Sequence, residues 1–194
     1  MLKKYINESA LYFIEKWTQD YPLLLKVKNE RKTKLGDYKR LKNGHQITIN
    51  NEPNKDLFFM VLTHEIAHMH AFHQYGFKIK PHGKEWKFVF GQLLKESVKA
   101  YKEDFQKIIL AFAQNPKANY YAYSPIVNYF NNEREINKTL LSDLKENTIF
   151  SIGNKIFKKG NKRKIRYICT ELSTGKKYTI HGLAPIDKVI DKNG

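Results

Sequence analysis

The twenty residues LFFMVLTHEIAHMHAFHQYG, from Leu57 to Gly76, constrain this chain more than any other stretch. Their apolar content is too long and too continuous for an ordinary strand, and their end is marked by a glycine suited to a helix C-terminus. They read as a helix of about 18 residues, with Asn54 or Asp56 of the preceding NNEPNKD turn available to cap it. On a helix, residues four apart share a face, one turn up. His64 and His68 therefore point the same way, with imidazoles able to converge on one ion, and Glu65 stands one step round.

That arrangement, H-E-x-x-H on a helix, has a specific chemistry. Two imidazoles hold a zinc ion, a third protein ligand completes the set, and the fourth position is left to water. The intervening glutamate reaches that water without displacing a ligand. A site that is only structural has no need of such a carboxylate. The third ligand must come from elsewhere. His70 and His73 lie six and nine residues after His64 and point away from the His64/His68 face. His82, in the loop FKIKPHG after the Gly76 stop, can be folded back toward the ion, so the reading favours one Zn2+ held by His64, His68 and His82. A carboxylate from Glu85 or Glu96 stays open as the third ligand. His45 and His181 read as ordinary polar residues.

Around this helix the pattern is mixed. Residues 1–20 carry apolar side chains at broadly helical spacing, with a second possible start at Asn7–Ser9. LLLKVKNERKTKLGDYKRL and GHQITIN read as strands, with a turn or bulge at Gly36-Asp37 and Ile47 and Ile49 on one face. KEWKFVFGQLLKESVKAY and EDFQKIILAFAQ read as further helices, NPKANYYAYSPIVNYFNN as an irregular aromatic segment, and REINKTLLSDLKEN as a short helix. From Thr148 the texture changes to alternating β-favouring residues with glycine turns, giving four or five short strands. The expectation is an α+β domain over residues 1–145 and a small all-β module over 146–194.

Here the residues carry a resemblance. LTHEIAHMH followed by PHGKEW, with TKLGDYKR and HQITIN before them, resembles the SprT-like zinc metallopeptidases. That family includes the bacterial SprT proteins and the eukaryotic protease Spartan, which digests proteins crosslinked to DNA. The later segments are similar to the short SprT-like proteins of Bacteroidota. The resemblance implies a gluzincin-like domain with an N-terminal helix, a small antiparallel sheet, the active-site helix and further helices. It also implies His64, His68 and His82 as zinc ligands, Glu65 as catalytic base, a protein substrate, and DNA, single-stranded or damaged, as a partner. One departure matters. Many members end in a four-cysteine zinc ribbon, whereas this chain has one cysteine, Cys169, which reads as a buried apolar residue and excludes both a disulfide and a ribbon. The module would then be held by Ile152, Ile156, Phe157, Ile165, Tyr167, Ile168 and Tyr178.

Charge bears on partners. Residues 1–50 hold 11 basic and 5 acidic side chains, 51–146 hold 13 and 11, and 147–194 hold 11 and 3. Basic ends suit a polyanion, although 30 lysines against 5 arginines equally fit a lysine-rich coding bias. The densest run, GNKIFKKGNKRKIRY, places Lys158, Lys159, Lys162, Arg163, Lys164 and Arg166 around Phe157 and Tyr167. A hairpin turn at Lys159–Asn161 would gather these cations at one tip, with KVKNERKTK extending the surface. No apolar run approaches a membrane span of about 20 residues, and the N-terminus reads as an amphipathic helix rather than a signal peptide. The expected compartment is the cytoplasm, nucleoid-associated if DNA is the partner. Three functions fit: a zinc endopeptidase acting on DNA-associated proteins, a nucleic-acid-associated factor with a structural zinc, and a zinc hydrolase with a non-peptide substrate.

Overall fold

A computed structural model describes residues 2–29, 31, 34–133 and 139–190, the side chains of residues 132 and 133 excepted. Among the described residues the architecture is α+β, with five α-helices and two sheets divided between two compact units, Met1–Asn119 and Tyr120–Gly194.

In the first unit, α1 (Glu8–Thr18) starts where Asn7 accepts a hydrogen bond from the Ala10 N–H, and it buries Ala10, Ile14 and Trp17. A three-stranded sheet follows, built from β1 (Leu23–Lys28), β2 (Gly36–Leu41) and β3 (Gly44–Asn50). The strand order is β1-β3-β2. The expected antiparallel sheet is mixed: β2 pairs with β3 antiparallel, while β1 pairs with β3 parallel, Leu23 opposite His45. β3 takes the centre because it is buried on both faces, His45, Ile47 and Ile49 on one and Thr48 and Asn50 on the other. The chain therefore passes to the far edge before the hairpin at Lys42-Asn43 brings it back. Gly36-Asp37 lies inside β2 and is no turn. Of the basic run KVKNERKTK, Glu30, Lys32 and Thr33 lie outside the described residues.

The central element is α2 (Lys55–Tyr75), capped by Asn54 and ended by Gly76 at φ 77°. Thirteen of its side chains are buried, on every side of the helix, so it forms the middle of the unit rather than a surface element. It packs on α3 (Lys84–Glu96), which ends before Ser97, and α4 (Glu103–Phe112) closes the unit.

In the second unit, the segment expected to be irregular forms α5 (Ser124–Glu133). Pro125 at its first turn is pre-set for a helix start, and Ile126, Val127 and Phe130 are buried at helical spacing. Of the helix expected over 134–147, residues 134–138 lie outside the described residues, and the rest holds only a single 3-10 turn, Leu141–Asp143. A five-stranded antiparallel sheet follows: β4 (Ile149–Ile152), β5 (Lys155–Arg163), β6 (Arg166–Glu171), β7 (Lys177–His181) and β8 (Lys188–Val189), in the order β7-β6-β5-β4-β8. Its core is Leu141, Phe150, Phe157, Cys169 and Ile186. Cys169 is a buried free thiol. Ile156 and Ile165, expected to help hold the module, are exposed instead, the first on the outer face of β5 and the second in the β5–β6 turn.

Candidate metal centre

His64 and His68 sit one turn apart on α2 as their spacing requires, and the chain brings His82 to them from the α2–α3 loop. His82 adopts a left-handed backbone, φ 57°, and the Gly83 N–H bonds back to the Lys80 carbonyl at 2.9 Å. This tight turn folds the loop onto the helix. His82 Nε2 lies 3.1 Å from His64 Nε2 and 3.1 Å from His68 Nε2. One nitrogen with one lone pair or one proton cannot serve two neutral partners equally. A shared cation satisfies all three, and donors around tetrahedral zinc at its usual bond length stand about 3.3 Å apart. Among the described residues this is the only group of three or more His, Cys, Asp or Glu side chains so placed.

The chemistry of the donors fits a cation. Burial, and after it His68 and His82, holds the His64 imidazole well below its usual pKa, and burial with His82 brings His68 down to about 4. Both are neutral donors at physiological pH. Neither open alternative for the third ligand joins them. Glu96 binds Lys16 at 2.6 Å and Trp17 Nε1 at 3.0 Å, and Glu85 stands outside the group.

Trp86 fixes the three rings. It is fully buried, its ring centroid lies 4.6 Å from those of His64 and His82 and 5.4 Å from that of His68, and its indole N–H points to the His64 carbonyl at 3.4 Å. On the other side, the Tyr38 ring stacks on His68 at 6.1 Å. Tyr38 is held in turn by a 2.9 Å hydrogen bond between its hydroxyl and His45 Nδ1, and His45 Nε2 meets His73 Nε2 at 2.9 Å. His45 is thus no ordinary surface histidine: it is buried and belongs to the wall of the site. Nothing in a lone histidine on a strand signals this. His70 donates to the Trp17 carbonyl at 2.8 Å and ties α2 to α1.

Glu65 is 6 % exposed. Burial chiefly, then the Asp37 carboxylate, pushes its pKa up to about 8, against the opposing pull of Arg31, Lys34 and a backbone hydrogen bond from Tyr38. Its carboxylate lies against Gly36, where a Cβ would stand 2.4 Å from Oε1. The edge strand β2 thus forms one wall around the glutamate, and it can approach so closely only through a glycine.

The basic run is arranged differently from its expectation. β5 continues through Gly160 with a bulge between Lys159 and Lys162, and the hairpin turn falls at Lys164-Ile165, with Lys164 at φ 55°. Lys162, Arg163, Lys164 and Arg166 cluster at or beside that turn, and Lys158 lies along the strand. Lys159 is not available to an outside ligand. It is 3 % exposed, donates to the carbonyls of Ser142 and Leu144, and lies 3.9 Å over the Tyr167 ring. Phe157 is in the core, and Tyr167, half-buried opposite Lys162, is covered by the Lys159 ammonium.

Among the described residues no helix is long and apolar enough to cross a membrane. Comparisons with curated proteins and with solved structures return no match. The model of the SprT-like family does match, over residues 9–108, more than half of the chain and the whole of the stretch that bears the histidine group, Glu65, Gly36 and Trp86. The chain belongs to the SprT-like family.

Proposed function

We propose that this chain is a zinc-dependent endopeptidase with His64, His68 and His82 as metal ligands and Glu65 as general base. The observation that carries the reading is the buried carboxylate of Glu65 on the helix that presents two of three converging imidazoles. Zinc at such a site supplies a Lewis acid for the scissile carbonyl and lowers the pKa of water toward about 7. The three imidazoles, packed against Trp86 and, at His68, against Tyr38, would hold it. Glu65 takes a proton from the attacking water at its carboxylate and returns it to the departing amine. The wall of β2 limits water around it.

For the substrate we propose proteins associated with nucleic acid, a reading that the positive charge of the β module and the family resemblance support. The rival reading, a nucleic-acid-associated factor with a structural zinc, leaves the buried and electrostatically costly Glu65 without a purpose. The test is cleavage of a DNA-binding protein by the zinc-loaded chain, with and without single-stranded DNA, beside Glu65→Gln. Cleavage that Glu65→Gln abolishes while zinc stays bound supports the reading. Equal cleavage by both chains refutes Glu65 as base, and zinc and DNA binding without any cleavage favours the rival.

A further inference from the structure

The edge strand β2 runs alongside α2 and meets it at every second residue. Gly36 stands against the Glu65 carboxylate, the Tyr38 ring stacks on His68, and the Arg40 guanidinium lies 4.6 Å over the centre of the Phe72 ring. Alternate residues of a strand are about 6.7 Å apart, and three or four residues of a helix rise about 5–6 Å, so the two elements stay in step. Arg40 therefore sits one step past the candidate ligand His68, on the face of the strand that Gly36 and Tyr38 share.

The backbone of β2 is open along its outer edge. Among the described residues its one strand partner is β3. The Asn50 N–H donates to the Leu35 carbonyl at 2.8 Å, and residues of an antiparallel pair alternate between bonded and unbonded positions. Leu35, Asp37 and Lys39 thus face β3 with their peptide groups, and Gly36, Tyr38 and Arg40 turn theirs outward. The outward Tyr38 N–H is in use, since it bonds to the Glu65 carboxylate. The peptide groups of Arg40 come next along the edge. An extended peptide can add to such an edge, and a residue directly opposite Arg40 would carry its Cβ about 4.5–5.5 Å away on the same face.

Arg40 is unlike the other cations of the first unit. The chain has 5 arginines against 30 lysines. Arg31 engages its guanidinium with Asn50 Oδ1 at 2.7 Å and with the Thr48 carbonyl at 3.3 Å. Arg40 is exposed, and among the described residues it forms no ion pair and its guanidinium donates to no protein acceptor. Stacking on Phe72 orients the guanidinium plane without using its N–H groups, so the planar fork that matches a carboxylate stays available. Its ionisable neighbours are Tyr38 and His45, both of which feel its charge, and neither offers a negative charge at neutral pH.

We infer that Arg40 binds a carboxylate of a peptide lying along β2, as a subsite one step beyond the metal centre that selects an acidic side chain or a free C-terminus. This rests on the peptidase reading and gives it a class of substrate. A bidentate guanidinium–carboxylate contact adds geometric specificity to affinity. The peptide residue opposite Arg40 is two residues from the one opposite Tyr38, beside His68, so holding the carboxylate sets which peptide bond is presented to the metal.

The test reads binding, so that it does not depend on turnover. The full chain as Glu65→Gln, loaded with zinc, is titrated against short fluorescein-labelled peptides of alanine and glutamine, and anisotropy is followed. One peptide carries a single internal glutamate and an amidated end, the second has glutamine in its place and an amidated end, and the third has glutamine and a free carboxyl end. The same titrations are run with Arg40→Gln, Arg40→Lys and Lys39→Gln added. Lys39 is exposed on the other face of the same strand, and an unchanged melting temperature confirms each fold. The expected result is that a carboxylate-bearing peptide binds about tenfold or more tightly than the fully amidated one. Arg40→Gln should abolish that preference, Arg40→Lys should reduce it because a point charge lacks the fork, and Lys39→Gln should keep it. Preference for the internal glutamate identifies a side-chain carboxylate, and preference for the free end identifies the terminal one. Equal binding of the three peptides, a preference that survives Arg40→Gln, an equal loss in Lys39→Gln, or no peptide binding overturns the assignment. The peptidase reading is judged separately, by cleavage with Glu65 restored: cleavage without a preference overturns the subsite alone, and a preference without cleavage overturns the peptidase and keeps Arg40 as a carboxylate-binding residue.

Discussion

Gly36→Ala is the smallest change that separates holding a metal from using it. A Cβ at position 36 would stand 2.4 Å from Glu65 Oε1, 2.8 Å from Cγ and 2.9 Å from Cδ. Non-bonded carbon contacts settle at about 3.5–4.0 Å, so something must move by about 1 Å. The end of a glutamate is ordinarily free to swing away, but Glu65 is 6 % exposed and the clash extends back to its Cγ, so rotation about the last bond alone does not relieve it. The edge strand is anchored to β3 by its full register from Gly36 to Leu41. The carboxylate is therefore the part that shifts. A displacement of about 1 Å in a reacting group costs on the order of a hundredfold in rate, and overpacking costs about 1–3 kcal/mol of stability. The three atoms nearest to that Cβ all belong to Glu65 and none to His64, His68 or His82, so zinc content should stay at that of the unaltered chain. The assay is kcat on a protein substrate beside zinc stoichiometry for the purified variant. Wild-type kcat in a folded Gly36→Ala chain would refute the close-approach reasoning, and loss of zinc would show that the strand supports the ligands rather than the base.

Three further outcomes follow from the packing. Trp86→Ala removes the ring shared by the three histidines; it should cost about 3–5 kcal/mol and weaken zinc about 10- to 100-fold in chelator competition, and unchanged zinc affinity would leave Trp86 a core residue only. Lys159→Met should destabilise the second unit by about 1–3 kcal/mol, because the Ser142 and Leu144 carbonyls lose their donor; denaturant unfolding measures it, and a neutral result would show water replacing the ammonium. Lys155 and Thr174, with Tyr178, hold Glu171 down to about 2. Its folded pKa lies below the unfolded value, so its contribution is complete above about pH 4.5 and shrinks as pH falls toward 2. Glu171→Gln should flatten the acid limb of the stability curve in that window, and an unchanged limb would locate the acid sensitivity elsewhere.

What could be read from the chain follows from how local each signal is. The face shared by His64 and His68 is a property of one helix, and the way back for His82 is a matter of a short loop, so both are legible in spacing. Strand alternation at Ile47 and Ile49 tells which side is buried but not whether the neighbour runs parallel, which is why β1 beside β3 is not legible. α5 is hidden because tyrosines and asparagines dilute its periodicity, though Ser124-Pro125 is a helix start in retrospect. The burial of Lys159 is not legible because lysine is expected outside; only the neighbouring carbonyls reveal why it is in. The Tyr38–His45–His73 line joins a strand, its neighbour and a helix, and no pattern within one element can display it.

The loop that carries His82 has a consequence for the life of the protein after synthesis. Two ligands stand on a helix that forms from nearby residues, while the third arrives 14 residues beyond His68. A metal bound by all three is a staple across that loop, comparable to a covalent cross-link, which for a loop of about 15 residues restrains the unfolded chain by about 3 kcal/mol. Between Gly76 and Gly83 the backbone is anchored mainly by this closure and by Trp86 behind it, and Phe77 stands 77 % exposed at its start. If the three histidines hold a metal, chelation should make this segment more sensitive to limited proteolysis, and an unchanged digestion pattern would show that the loop is held without the metal.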